Sequence, residues 1–448
     1  MTTYDHAKEA QVAAVLEGWQ AEGIRNVRFE LPDMHGISRS KLIPLKSVAD
    51  YARTGLNMYG GTVVLDSRSD VVPGSLYNEE VGYGDQLLWP DPTTACRVPW
   101  AERTGRFICD AAWLDGRPLE AAPRYVLKRV LDRWADLGIE PLMGIEYEFY
   151  LLDGTSHTVL FDGHHIFNTS RNTWVPVVEE IVEQMDRCGI QIITANCEYS
   201  SSQWEINYKP AVGMAAADQA FTFKNAVKEI AHRAGLVATF MSKPFSEAAG
   251  SGAHLHVSML SRESGDNALF DPSASHGLSK LGRHFLAGQL HHGAATYALL
   301  APTVNCLRRR RRHTFSPTNV SWGVEDRSAF VRLKGEGRPS IHFENRAPSA
   351  MSNPYLAAAA VLAAGLIGVL DELELPPSAR TPAEDDENMA PLPASLPESL
   401  RIFEEDKRLG ELLGEEFVTA YDAMRRYELE RFADHVTDWE REEYLDVY

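Results

Sequence analysis

The chemistry of this chain concentrates where charged residues alternate with apolar ones. Gly250-Ser251-Gly252-Ala253-His254-Leu255-His256-Val257-Ser258-Met259 is the clearest such stretch. On a β-strand alternate side chains share a face. His254, His256 and Ser258 then point one way, and Leu255, Val257 and Met259 the other. Gly144-Ile145-Glu146-Tyr147-Glu148-Phe149 repeats the arrangement, with Glu146 and Glu148 together. Adjacent like charges repel, and burying either is costly unless a cation compensates. Glu198 and Glu205 flank Ser200-Ser201-Ser202, and Glu344-Asn345-Arg346 follows Ile341-His342-Phe343. One such glutamate is ordinarily a solvated surface group. Five of them, with one or two histidines, on strands with apolar backs imply an oxygen-rich face of a packed sheet. That donor set suits Mg2+ or Mn2+ better than zinc.

Arginines supply the opposite charge: the run Arg308 to Arg312, then Arg327, Arg332 and Arg346. Metals with arginines are what phosphoryl transfer from a nucleotide requires. No Gly-x-x-x-x-Gly-Lys-Ser/Thr loop is present, so a nucleotide site would be built on sheet and metals. The net charge of -19 argues against nucleic-acid or anionic-membrane binding, despite the arginine run. Cys96, Cys109, Cys188, Cys197 and Cys306 are scattered without a Cys-x-x-Cys pair. They predict neither a disulfide framework nor structural zinc, and a reducing cytoplasm. Met1 to Asp5 carries no signal pattern. The longest apolar run, Tyr355 to Leu370, is too short and too rich in Ala and Gly to span a bilayer, and reads as a buried helix.

The elements that must position these groups fall into two parts. A helix over Val12 to Gly23 precedes strands at Val27 to Leu31 and Ser38 to Ile43, joined by a turn at Asp33 to Gly36. Further strands are predicted at Val63 to Asp66, Gln86 to Trp89 and Arg106 to Asp110. Asp115-Gly116 marks a turn, and a boundary near 115 divides residues 1–115 from 116–448. Pro123 then opens a helix capped by Gly138. Strands follow at Pro141 to Leu152, Ile190 to Ala195, Gln203 to Tyr208, Val237 to Met241 and Gly252 to Met259. Helices are predicted at Trp174 to Cys188, Met214 to Gly235, Leu281 to Leu300 and Pro354 to Leu370. Thr381 to Pro393 reads as an exposed loop and Leu396 to Tyr448 as charged helices. Strands and helices do not alternate strictly, which predicts an α+β chain.

Taken in order, the motifs resemble the glutamine synthetase family along nearly the whole chain. They are Asp33-x-x-Gly36 with Lys41, Trp89-Pro90-Asp91-Pro92, Glu146-x-Glu148, and Glu198 ahead of Gln203-Trp204-Glu205. The glycine-histidine stretch, Pro302-Thr303-Val304-Asn305, Arg327-Ser328-Ala329 and Asn353-Pro354-Tyr355-Leu356 follow. The resemblance implies an N-terminal β-grasp domain and a catalytic domain with a curved antiparallel sheet. It also implies a double-ring homo-oligomer, a dodecamer, with sites between subunits. Glu148, Glu198 and Glu205 would hold one divalent metal, and Glu146, His254 and Glu344 a second. His256, Ser258 and Arg332 would face ATP, with Arg327 on the transferring phosphoryl group. Gly250, Arg309 and Arg346 would grip glutamate. Asp66, offered by the neighbouring subunit, or Glu198 would take the proton of the attacking amine. The implied reaction phosphorylates the γ-carboxylate of glutamate and lets an amine displace phosphate.

The resemblance breaks where the amine binds. Standard glutamine synthetases carry a flap glutamate that holds ammonium, and Phe315 stands there. An aromatic ring packs against an alkyl or aryl group instead. That resembles the γ-glutamyl-amine ligase branch, including γ-glutamylpolyamine synthetases. Ala249 replaces an asparagine that contacts glutamate, His342 an arginine near the nucleotide, and Ser202 a glycine. The tyrosine motif of adenylylation control is absent around Pro391 to Leu396. The expected function is therefore ATP-dependent joining of glutamate to an organic amine. An ordinary glutamine synthetase with a divergent flap, or a non-catalytic structural relative, are the alternatives.

Overall fold

The computed structural model describes residues 6–163 and 166–448, so Met1 to Asp5, with their missing signal pattern, lie outside the described residues. Two sheets organise the chain. The first has the order β2 (Ser38–Pro44), β1 (Asn26–Pro32), β6 (Thr104–Trp113), β4 (Asp85–Pro90), β3 (Leu56–Tyr59), with β5 (Cys96–Arg97) paired to β6. β1 and β6 run parallel, and the other pairs antiparallel. Val27, Phe29 and Leu31 are buried at alternate positions of β1, which is what fixes its face.

The predicted strand at Val63 to Asp66 is not one. Gly60–Val64 is a 3-10 turn, and β3 pairs with β4 in its place. Val63 and Val64 are fully buried, so the apolar run marks burial and not sheet pairing.

The second sheet has the order β13 (Trp322–Val324), β14 (Val331–Lys334), β15 (His342–Asn345), β12 (Ala253–Ser261), β7 (Ile139–Asp153), β9 (Gln203–Tyr208), β8 (Ile192–Cys197). β10 (Ala211–Val212) and β11 (Leu236–Thr239) both add to the long β7. All pairs are antiparallel except β13 with β14. Helix Met214–Arg233 packs on its apolar face, where Tyr147 stacks on Phe223 with centroids 6.1 Å apart.

The two sheets are tied by buried charge. Arg124 of helix Pro123–Asp136 reaches Asp91 at 2.6 Å, Asp110 at 2.5 Å and Asp218 of helix Met214–Arg233 at 3.0 Å. Arg28 and Trp100 both donate to Glu229 of the same helix at 2.8 Å.

The helix predicted over Leu281 to Leu300 is two, Lys280–His291 and Gly293–Leu300. They break at His292, whose Nδ1 is drawn 2.5 Å from Asp406 in the C-terminal helices. Thr381 to Pro393 is not a plain exposed loop either. Ala383 and Leu392 are buried, and the Ala383 N–H donates to Asp326 at 2.9 Å, strapping this segment over the loop that carries Arg327.

Helix Pro354–Leu370 is buried over nearly its whole length, as its composition requires. Among the described residues no helix is long and apolar enough to cross a membrane. It crosses Lys280–His291 at a glycine contact, where a Cβ on Gly288 would lie 2.1 Å from Ala364 O. Gly288→Ala is therefore expected to lose about 1–3 kcal/mol of stability through overpacking. A thermal melt matching the parent would contradict that contact.

Candidate active site

Strand register builds the site. The β7–β12 pairing sets Glu146 opposite His254, and β12–β15 sets His256 opposite Glu344. The β7–β9 pairing sets Glu148 opposite Glu205, and β14–β15 sets Arg332 opposite Glu344. Opposed residues share a face, so one continuous row of charge crosses five strands. Ile145, Tyr147, Phe149, Leu255, Val257 and Phe343 occupy the other face and are buried.

Within the row, His256 Nε2 is 3.1 Å from Glu146 Oε1, and His254 Nδ1 is 3.5 Å from Glu146 Oε2 and 3.7 Å from Glu344 Oε1. His254 Nε2 accepts from Arg309 at 3.3 Å. Arg332 pairs with Glu344 at 3.0 Å and Arg346 pairs with it from the other side. Glu148 accepts the Gly252 N–H at 2.8 Å. Gly250 and Gly252 are needed because Arg309 passes over them. A Cβ at either would fall 2.5 and 2.6 Å from its side chain.

These charges shift one another. Burial alone would raise the Glu146 carboxyl, but hydrogen bonds to His254 and His256 hold it far below its usual value. Burial likewise opposes Glu344, yet Arg346 and the histidines bring it down to about 2. On the other wing the balance reverses. Burial, then Glu148, push Glu198 up to about 7. Burial, then Glu146, Glu148 and Glu198, push Glu205 up to about 8.

The donor set fits a divalent cation. Glu146, His256 and Glu344 each offer a ligand atom within 4.8 Å of the others. Crowded carboxylates with raised pKa are what such a charge relieves. A cation seated between Glu198 and Glu205 would have to displace their protons. Mg2+ or Mn2+ affinity is therefore expected to rise with pH between about 6 and 8.5, with proton release on binding. Calorimetry in buffers of different ionisation enthalpy reads both, and a pH-independent affinity would contradict the arrangement.

A cavity of about 420 Å³ opens over this face. Of the residues singled out from sequence, Glu146, Glu148, Glu198, Glu205, His254, Glu344, Gly250, Arg309, Arg327, Arg332, Arg346 and Phe315 line it. His256 and Ser258 do not. His256 joins Glu146 and Glu344 beside the cavity. Ser258 donates to Asn267 at 3.0 Å further along β12. Asp66 is elsewhere in this chain: fully buried, accepting the N–H groups of Arg68 and Asp70 at 2.8 Å, and ion-paired to Arg431.

Sequence reading found Phe315 but missed its neighbours at the mouth of the cavity. Phe315 is 44 % exposed, and its ring centroid is 6.0 Å from that of Tyr199. Phe167 lines the same opening. Tyr199 follows Glu198 directly, which is the one signal that could have found it. Lys334, two residues beyond Arg332 on the same face of β14, was also legible by alternation and not singled out. Gln203 holds the Gly250 carbonyl at 3.0 Å, and Tyr150 holds the Ala249 carbonyl at 2.7 Å.

Comparison with known proteins agrees with this geometry. The profile of the glutamine synthetase catalytic domain matches residues 120–444. Gamma-glutamylethanolamide synthetase GlnA4 of Streptomyces coelicolor is 34 % identical over 94 % of this chain and 92 % of its own length. Glutamate–isopropylamine ligase of a Pseudomonas species is 31 % identical over 98 % of both. A solved GmaS/ADP complex superposes with a TM-score of 0.86 at 30 % identity, covering 96 % of this chain and 99 % of the other. A domain profile over most of the chain, together with relatives matched almost end to end, makes this protein a member of the glutamine synthetase family, with similarity to its glutamate–amine ligases.

Proposed function

We propose that this protein is an ATP-dependent carbon–nitrogen ligase that joins the γ-carboxylate of glutamate to a small organic amine through γ-glutamyl phosphate. The observation that carries this reading is the aromatic mouth, Phe315 with Tyr199, on a cavity otherwise lined by carboxylates and arginines. The printed activities of the GlnA4 and isopropylamine relatives support it.

The roles follow from placement. Glu148, Glu198 and Glu205 would hold one divalent ion, and Glu146 and Glu344 a second with His254 or His256. When bound, such ions supply positive charge against the phosphates of ATP. Arg309 is buried beside Gly250 and donates to His254 and to the Arg346 carbonyl, which presets it for a substrate carboxylate. Arg346 is fixed by Glu344 and by the Arg327 carbonyl at 2.8 Å. Arg327 is exposed at the cavity wall and suits the charge that develops on the transferring phosphoryl group. Attack needs an unprotonated amine, and Glu198, which lines the cavity next to Tyr199, would take that proton. Asp66 could act only on a neighbouring subunit's site and only after leaving Arg431, so Glu198 is preferred.

The reading also takes the first sheet as a β-grasp domain ending near residue 115, a ring-shaped homo-oligomer with shared sites, and work in the cytoplasm. Its test is phosphate release with glutamate, ATP and Mg2+, comparing ammonium with ethanolamine, alkylamines and polyamines. Turnover with ammonium and none with amines would overturn it in favour of an ordinary glutamine synthetase. Absence of ATP and metal binding would favour a non-catalytic relative.

A further inference from the structure

Two of the five cysteines, far apart in sequence, meet where the two sheets meet. Cys96 lies on β5, and Cys188 ends helix Val177–Arg187, whose chain leads through β8 to Glu198. Cys96 Sγ is 3.8 Å from the Cys188 carbonyl, and Cys188 Sγ is 3.8 Å from the Arg97 carbonyl. Each thiol lies near enough to shift the titration of the other. Both are half-buried, whereas Cys109, Cys197 and Cys306 are buried. The pair lines a cavity of about 540 Å³ together with Arg106. Arg106 is 7 % exposed, and its Nη1 has no hydrogen-bond partner, lying 3.7 Å from Glu30.

We propose that Cys96 and Cys188 form a peroxide-sensitive dithiol that closes into a disulfide and pins the first sheet to the catalytic sheet. Cys188 and Arg106 both lower the Cys96 thiol, against burial. Cys96 is therefore the attacking thiolate and Cys188 the resolving thiol. The Cys96 sulfur attacks one peroxide oxygen, the O–O bond breaks, and the departing hydroxide leaves as water after taking a proton. Cys96 is then a sulfenic acid. The Cys188 sulfur attacks it, the S–O bond breaks, and hydroxide leaves with the Cys188 proton as a second water. Both sulfurs are oxidised and both peroxide oxygens reduced.

The experiment treats the full-length protein with hydrogen peroxide, followed by intact mass and non-reducing peptide mapping. The expected product has lost two hydrogens, carries a Cys96–Cys188 linked peptide, melts at a higher temperature and reverts with dithiothreitol. Cys188→Ser should stop at a Cys96 sulfenic acid trapped by dimedone, and Cys96→Ser should leave Cys188 unreacted. Oxygen added to Cys96 while Cys188 stays free in the parent protein would overturn the proposal, as would linkage through any other cysteine or inertness to peroxide. A linked protein that melts no higher would overturn the pinning. None of these readouts depends on the ligase reading.

Discussion

Glu344→Gln is expected to abolish most activity and to destabilise the protein at the same time. Glu344 is 1 % exposed and is the shared anion of two buried arginines, Arg332 at 3.0 Å and Arg346. A glutamine keeps the shape and one acceptor but removes the charge. Arg332 would retain Glu325 at 2.6 Å, an exposed partner, and Arg346 would keep only backbone carbonyls. Stranding buried charge of this kind costs about 3–5 kcal/mol. The same change removes one donor of the Glu146–His256–Glu344 set. Loss of a partner that only orients a metal ligand costs about 10–100-fold, so loss of a donor should cost at least as much. The measurements are a denaturant melt, a Mn2+ titration and phosphate release with the preferred amine. An unchanged melt with a parental rate would remove Glu344 from both roles.

Glu344's position between the histidines and the arginines was only half legible in the sequence. Alternation gave the faces correctly: Glu146 with Glu148, His254 with His256, each backed by buried apolar residues. Alternation is local physics, because the pleat has a period of two and burial selects one face. Register is not local. Nothing within β15 says that Glu344 lies opposite His256 on one side and Arg332 on the other. The short strands β13 to β15 are held by their neighbours, and their sequence does not announce them. The same limit explains Val63 and Val64, buried without pairing, and the break at His292, set by an aspartate more than a hundred residues away. Cys96 and Cys188 carry no sequence signal of each other at all. Family motifs supplied the cavity's donor list; Asp66, expected to serve a neighbouring subunit's site, sits away from this chain's own cavity with Arg431.

Phe315→Glu tests the amine half of the reaction, and the change should be confined to that half. Phe315 is 44 % exposed on a loop at φ +56, so neither residue is relaxed there and the backbone strain is common to both. Surface substitutions of this type stay within about 0.5 kcal/mol, so the fold should be unaffected. The loop's contact with Arg346 runs through the Phe315 carbonyl at 3.4 Å and survives the change. What is lost is an apolar ring beside Tyr199, against which an alkyl group would pack. Apolar contacts of one or two methylenes are worth about 1–3 kcal/mol in specificity, or roughly 10–200-fold in kcat/KM. The alkylamine kcat/KM should fall by that factor. Ammonium, which gains a carboxylate and loses nothing, should rise relative to it. Phe315→Leu keeps an apolar surface and should retain the parental preference. If Phe315→Glu leaves the amine-to-ammonium ratio unchanged while the protein stays folded, the aromatic mouth does not select the amine. Specificity would then have to lie with other residues of the cavity, Phe167 first among them.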